Sequence, residues 1–441
     1  MRASRDTVDD GDFRADGGSP LNERFRDYDY SNFYSGLGDD PFDMLAPFDE
    51  WWQWARPAGY YQFGMAMRSA PSPRIDVAGA VDRADLDGLI NLASYNYLGL
   101  SYRPEVKQAT IEAIEKYGLG ASGSPILSGN SEVHERFRRH LADFKGTEEA
   151  LLFPTGYSTN IGVISGLMRP GDLIVADQYA HASIVDGIRL CKAMTDTYKH
   201  ANMAHLEQKL ELHQDKRIRV IITDGVFSMD GDLAPLDEIV ALAEKYDALV
   251  FVDDSHASGF IGKTGRGTHE KCGIMGKVDI ITTTFGKALG GASGGCVSGR
   301  SELVEMCRQR ARPYLFSNTL PPPLVAAGIK VFEMLSSTTE LRDRLEENTR
   351  YFRAGMTQAG FDIKEGVHPI VPVMLYDAPL SQEFAAKLLD EGIYVIGFFF
   401  PVVPRNEARI RVQVSAAHTR EHLDRAIAAF TKVGKELGVI D

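Results

Sequence analysis

Cysteine is scarce in this chain: Cys191, Cys272, Cys296 and Cys307 are the four among 441 residues. No two form a C-x-x-C pair, and none stands with histidines at zinc-ligand spacing. A disulfide framework and a structural metal site are therefore not expected, and four reduced thiols fit a cytoplasmic protein. Long apolar runs are missing as well. No stretch has the length of a membrane helix, and the opening MRASRDTVDDGDFRADGG has no apolar segment of the secretory-signal kind. Positive charge is in deficit: 48 Lys and Arg against 61 Asp and Glu give a formal charge of −13. Such a chain gains little from polyanions, which argues against nucleic acid and anionic membranes as partners. Internal repeats are also absent.

What is present is the composition of a globular protein, 44% hydrophobic and 25% charged. Residues 1–27 are acidic and Gly-rich and read as a disordered tail. Residues 28–89 form an arm dense in rings: Phe33, Tyr34, Phe42, Phe48, Trp51, Trp52, Trp54, Tyr60 and Tyr61. These rings either pack the arm on the main body or line an entrance or a dimer seam. From 90 to 312 the pattern is α/β. The runs EALLF, DLIVAD, RVIITD, ALVFVDD and VDIITTT alternate with helical stretches near Asn160–Met168, Ser183–Ala193 and Leu236–Tyr246. Continuous runs rich in Val, Ile and Leu between helices predict a mostly parallel sheet covered on both faces. Residues 313–441 change character. A helix opens at Pro321-Pro322-Pro323, and the strands IVPVMLY and ARIRVQV and a closing helix follow, which predicts a smaller α+β domain.

Ligands of open α/β sheets sit beyond the carboxyl ends of the strands. Four successive runs there end in polar groups: His181 after DLIVAD, Ser228 after RVIITD, Asp253 with His256 after ALVFV, and Lys287 after VDIITTT. Lys287 lies in TFGKALGGASGG, among small and apolar residues. Burial would lower its pKa and make it nucleophilic toward carbonyls, unless the lysine reaches out to water. A carboxylate at the end of a buried strand needs a cationic partner, and a protonated pyridine nitrogen is one. Alternation does not decide whether Asp253 or Asp254 points inward. Thr155, Gly156 and Tyr157 open a helix after EALLF, where backbone N–H groups suit a phosphate. On ARIRVQV, Ile410, Val412 and Val414 share one face and Arg409 and Arg411 the other. An arginine so held can grip a carboxylate, or both arginines face solvent.

Together these residues resemble the α-oxoamine synthases, a family of fold-type-I pyridoxal-phosphate enzymes. The resemblance runs from about Ile90 to the C-terminus, through NLASYNYLGL, HASIVDG, TDGVFSMDGD, VDDSHASGFIG, VDIITTTFGKALGGASGG, RPYLFSN and GFFFPVVPRNEARIRVQVSAAHT. It implies pyridoxal 5'-phosphate as cofactor, with Lys287 forming the Schiff base and moving the substrate proton. It implies Asp253 on the pyridine nitrogen, His256 on the ring hydroxyl with Ser228 nearby, and His181 stacked on the ring. Gly156, Tyr157 and Thr284 would hold the phosphate, and Ser317 and Asn318 would reach the phosphate of a second subunit in a homodimer with shared sites. Asn96 and Arg411 would hold the substrate carboxylate. The implied reaction joins a small amino acid, glycine first and serine or alanine next, to an acyl thioester on coenzyme A or a carrier protein. Protonated His181 would polarise the thioester carbonyl. The product would keep its carboxyl group or lose it as CO2. Pro125 stands where the family usually has arginine, and with the long arm it points toward a longer or unusual acyl donor. The competing readings are an aminotransferase or lyase of the same fold, and a non-catalytic partner subunit.

Overall fold

The computed structural model describes residues 33, 40, 42–43, 45–55, 63–79 and 84–441. The expected tail at 1–27, and Tyr34, Tyr60 and Tyr61 of the arm, lie outside the described residues. Within the arm, a helix runs over Leu45–Ala55. Phe33, Phe48, Trp51 and Trp52 pack ring against ring there, with centroids 5.4–6.3 Å apart. Two strands follow, β1 (Arg74–Val77) and β2 (Leu86–Asn91). The arm boundary expected between 89 and 90 falls inside β2.

Seven strands then build the central sheet: β3 (Glu149–Phe153), β4 (Leu173–Asp177), β5 (Met194–Tyr198), β6 (Arg219–Asp224), β7 (Leu249–Asp253), β8 (Ile280–Thr284) and β9 (Gly295–Gly299). Their order is β3-β9-β8-β7-β6-β4-β5. β9 runs antiparallel to both its neighbours, and the other pairs are parallel. The apolar runs become strands because each residue finds a buried surface on one face or the other. Ile174, Val220, Phe251 and Ile280 fill one layer; Val175, Ile221, Val250 and Ile281 fill the opposite one. Helices Gly156–Leu167, Ala182–Leu190 and Ser301–Arg310 cover the first layer, and Met203–Leu212 and Leu236–Lys245 the second.

Beyond the long helix Pro322–Ser337 the chain forms β10 (Ile370–Tyr376), β11 (Ile393–Tyr394), β12 (Gly397–Phe398) and β13 (Ala408–Gln413). β10, β13 and β12 make an antiparallel sheet. β11 instead pairs with β2, so the N-terminal strands and the C-terminal region share a second small sheet. β13 is buried along its whole length. Ile410, Val412 and Val414 join the largest apolar cluster, while Arg409 and Arg411 turn toward the loop after β6. Solvent therefore takes neither arginine. No helix among the described residues is long and apolar enough to cross a membrane.

Candidate active site

The carboxyl ends of β4, β6, β7 and β8 open into one cleft, and β13 closes it from the C-terminal side. Lys287 stands just past β8. Its residue surface is partly open to the cleft, while the ammonium is enclosed, and burial holds its pKa below the ordinary lysine value against the pull of Asp253, Tyr95 and Asp224. The ammonium makes no hydrogen bond among the described residues and lies 5.6 Å from the centre of the Tyr95 ring.

Asp253 and Asp254 leave β7 on opposite sides. Asp253 turns to the cleft, where Oδ2 accepts from the Asn160 amide at 2.6 Å and Oδ1 from the Ser255 N–H at 3.0 Å. Asn160 also donates to Ser183 Oγ at 2.8 Å and accepts from Thr282 Oγ1 at 2.7 Å. Ser183 in turn bonds His181 Nδ1 at 2.7 Å. One buried amide thus ties the aspartate to the histidine.

His181 caps the helix Ala182–Leu190, and its backbone N–H donates to Asp224 Oδ2 at 2.9 Å. The Ser183 N–H donates to His181 Nδ1, so that nitrogen carries no hydrogen and the remaining one sits on Nε2. Burial, opposed by Asp253 and aided by Lys287, lowers the imidazole pKa. The protonated His181 expected from the sequence is thus corrected to a neutral ring that donates through Nε2. Asp224 ends β6 beside Asp253, and burial with that neighbour raises its carboxyl well above the usual range.

His256 lies deeper. Its Nδ1 is 3.0 Å from the Tyr97 hydroxyl, and its carbonyl meets His368 Nε2 at 2.7 Å. On the C-terminal wall, Arg411 donates to the Ser228 carbonyl and to the Tyr95 hydroxyl, both at 3.0 Å. Its guanidinium stacks 4.4 Å from the Phe398 ring, and its Nε is buried without a partner among the described residues. Burial would raise the Tyr95 hydroxyl pKa, but Arg411 and Lys287 outweigh it and bring the value below normal.

Asn96 does not take the expected place beside Arg411. Its amide donates to the Pro71 carbonyl at 3.1 Å and to Ser101 Oγ at 2.9 Å. The neighbouring Tyr95 faces the arginine instead. Ser228 reaches Arg411 through its backbone carbonyl. Ser317 and Asn318 follow the helix Arg312–Phe316 on the surface, where Thr319 N–H donates to the Gly123 carbonyl at 3.0 Å. Pro125 opens a single wide turn, Pro125–Gly129.

The opposite wall is the start of the helix Gly156–Leu167. Thr155 and Ser158 cap it reciprocally, which leaves the N–H groups of Gly156 and Tyr157 without intrahelical partners. A side chain at 156 would lie 2.7 Å from Thr284 Cβ, so only glycine lets this helix end approach the lysine loop. The Tyr157 ring stands edge-on to His181 at 6.3 Å, and its hydroxyl bonds Asp186. Helix-end donors without intrahelical partners, an enclosed amine, a buried carboxylate and a His256 Nε2 without a partner among the described residues fit a phosphate-bearing pyridine aldehyde on their own geometry.

Sequence reasoning missed Tyr95, Tyr97, Asn160, Asp224 and His368. Tyr95 and Tyr97 flank Asn96 in YNYLG. Asp224 carries the same signal as Asp253, a carboxylate ending a buried run. Asn160 is a poor helix former inside a helix. His368 carries no local signal.

The site defined by this geometry is that of a fold-type-I pyridoxal-phosphate transferase, and comparison with known proteins agrees. The family model for aminotransferase class I and II matches residues 87–430. The chain is 49% identical to the 2-amino-3-ketobutyrate coenzyme A ligase of Salmonella typhimurium, over 88% of this chain and 96% of that protein. It is 45% identical to an 8-amino-7-oxononanoate synthase of Thermoanaerobacter pseudethanolicus, over 87% and 96%. A serine palmitoyltransferase from S. paucimobilis, solved with a bound PLP–myriocin aldimine, superposes with a TM-score of 0.84 at 34% identity, covering 90% of this chain and 98% of that one. The chain belongs to the aminotransferase class I and II family, in its α-oxoamine synthase branch, and its cofactor is pyridoxal phosphate.

Proposed function

We propose that this acyltransferase condenses glycine with a short acyl-coenzyme A, releasing free coenzyme A and a 2-amino-3-oxo acid. The observation that carries the reading is the placement of Lys287 and Arg411 on one aromatic ring. Lys287 Nζ and Arg411 Cζ lie 5.6 and 5.4 Å from the centre of Tyr95. An amino acid whose carboxylate sits on Arg411 therefore presents its Cα to the amine. The relatives named for 2-amino-3-ketobutyrate support glycine and an acetyl group.

Bound pyridoxal phosphate supplies a conjugated electron sink for the substrate Cα. Gly156, Tyr157 and Thr284 would hold its phosphate, and Asp253, oriented by Asn160 and Ser255, would hold a proton on its ring nitrogen. His256 would face the ring oxygen, and His181 the ring. Lys287, an amine of lowered pKa, takes the Cα proton. The carbon–carbon bond then forms at the acyl carbonyl as the carbon–sulfur bond breaks, and the thiolate leaves to be protonated. His181 Nε2–H, neutral, would donate to the carbonyl oxygen as negative charge develops there. Ser317 and Asn318 would complete the site of a second copy in a homodimer. The four unpaired cysteines fit work in the cytoplasm.

A second reading, a longer or carrier-borne acyl group, draws on the Pro125 turn. Leu127 there is 82% exposed, an apolar side chain two residues beyond Pro125, the position where the family usually has arginine. Titration of released thiol with glycine, alanine and serine, each against acetyl-CoA, long-chain acyl-CoA and acyl carrier protein, tests both readings. Glycine with acetyl-CoA is expected to turn over fastest. Thiol release only with long-chain or carrier-borne donors transfers the case to the second reading. Amino-group transfer to a 2-oxo acid without thiol release overturns both.

A further inference from the structure

Tyr97 and His256 meet in the floor of the cleft, and both are buried. The phenol has a single hydroxyl hydrogen, and His256 Nδ1, at 3.0 Å, is its one hydrogen-bond partner among the described residues. Burial raises the Tyr97 pKa, so the hydroxyl keeps that hydrogen. Were Nδ1 also to carry a hydrogen, two donors would face each other and the phenol would be buried without an acceptor. Nδ1 must accept. A neutral imidazole then carries its one hydrogen on Nε2.

Other groups agree with a neutral ring. Burial depresses the His256 pKa, and the Lys287 ammonium and the Arg411 guanidinium push it the same way. His368 braces the other side. Its Nδ1 accepts from the Ile370 N–H at 3.0 Å, so its Nε2–H donates to the His256 carbonyl at 2.7 Å. The Tyr97 ring packs edge-on against both histidines, at 6.2 and 5.7 Å. Ring, tautomer and backbone of His256 are all held from behind, and its Nε2 has no partner among the described residues.

We infer that Tyr97 is a positioning residue whose hydroxyl fixes His256 in the Nε2–H tautomer, so that His256 donates a hydrogen bond to the ring oxygen of pyridoxal phosphate. This rests on the reading that His256 faces that oxygen. A donor there draws charge off the oxygen and makes the nitrogen linking Lys287 to the cofactor more acidic. Without Tyr97, the imidazole is free to place its hydrogen on Nδ1 and to offer the oxygen a lone pair.

The test is the pH titration of the visible absorption band of the holoenzyme, a readout independent of turnover. Tyr97→Phe is expected to raise the apparent pKa of the band by about one unit. His256→Asn should raise it at least as far, and Tyr97→Phe should add nothing in the His256→Asn background. Replacing Tyr97 by 3-fluorotyrosine, a stronger donor of nearly the same shape, should move the band to lower pH. This second protein decides the matter alone if Tyr97→Phe fails to fold or to retain cofactor. A Tyr97→Phe enzyme that titrates like the parent while His256→Asn shifts overturns the inference about Tyr97 and leaves His256 in place. Equal shifts from Tyr97→Phe in both backgrounds overturn it too. An unshifted His256→Asn enzyme removes the reading of His256 beneath it.

Discussion

Asp253 and Asp254 leave strand β7 on opposite faces, and a lysine stands near each. Behind the sheet, Lys145 donates to Asp254 Oδ2 at 2.7 Å, to Ser258 Oγ at 2.5 Å and to the Arg266 carbonyl at 2.7 Å. Both side chains have no exposed surface. Asp254 Oδ1 accepts from the Thr268 N–H and hydroxyl at 3.0 and 2.6 Å. Burial works to raise its pKa, but Lys145 and His269 hold it below the usual range. Every donor of that ammonium is matched, and nothing remains to react. In the cleft, Lys287 makes no hydrogen bond among the described residues, and Asp253 is bonded to Asn160 and Ser255 rather than to the lysine. The same two residue types, one position apart on the strand, make a closed pair on one face and an open one on the other. Burial alone does not separate structural from chemical lysines; the count of unmatched donors does.

Three measurements break or sharpen this contrast. Lys287→Ala should lose the visible absorption of the lysine-bound cofactor and on the order of 10³-fold or more in kcat, the scale of a lost general base. With the cofactor removed from both proteins, its unfolding midpoint in urea should match the parent's, because no hydrogen bond is removed. Purified Lys287→Ala with the parent's yellow chromophore would sink the assignment. Lys145→Met should do the reverse. It leaves the Asp254 carboxylate buried and unpaired, a loss of about 3–5 kcal/mol in urea unfolding, while the protein that stays folded keeps its visible band. Normal stability with a lost band would erase the distinction between the faces.

The smallest effect concerns His200. Its Nδ1 lies 3.1 Å from Asp177 and its Nε2 2.8 Å from Asp232, so both nitrogens are matched, as on the Lys145 face. Burial opposes the charge, yet the two carboxylates raise the pKa to about 10. The stabilisation is complete below the unfolded histidine pKa of about 6.5 and disappears as pH rises through the folded value. Thermal midpoints should therefore decline from neutral pH toward pH 10 more steeply in the parent than in His200→Gln. Parallel curves would exclude His200 as the cause.

The parallel strands β4, β6, β7 and β8 were legible because their apolar runs are unbroken and each stops at a polar residue, which also exposed Lys287, Asp253 and His181; β5, the polar edge strand MTDTY, was not. β9 was not. Its sequence, GCVSG, has little strand propensity, and pairing on both edges makes it a strand. β1, β2 and β11 escaped for a related reason: their partners lie far apart in the chain, and local pattern carries no register. Within the site, what the sequence hid was orientation. YNYLG supplies three polar side chains in a row, and only the turn decides that Tyr95 meets Arg411, Tyr97 meets His256 and Asn96 ties up its own loop. Asn160 earned no notice inside a helical run, although its amide joins Asp253 to Ser183.

β9 has a consequence for the lysine itself. β8 and β9 are antiparallel neighbours, and the segment carrying Lys287 is the connection between them, closed where the Phe285 N–H donates to the Gly294 carbonyl at 2.9 Å. Its ends are already joined when the sheet forms, so the entropy of loop closure belongs to folding and not to catalysis. What is left to Lys287 is rotation about its own side-chain bonds. The amine reaches for a carbonyl the way a hinged arm swings on a fixed post, and its local concentration at the site is set before any ligand arrives.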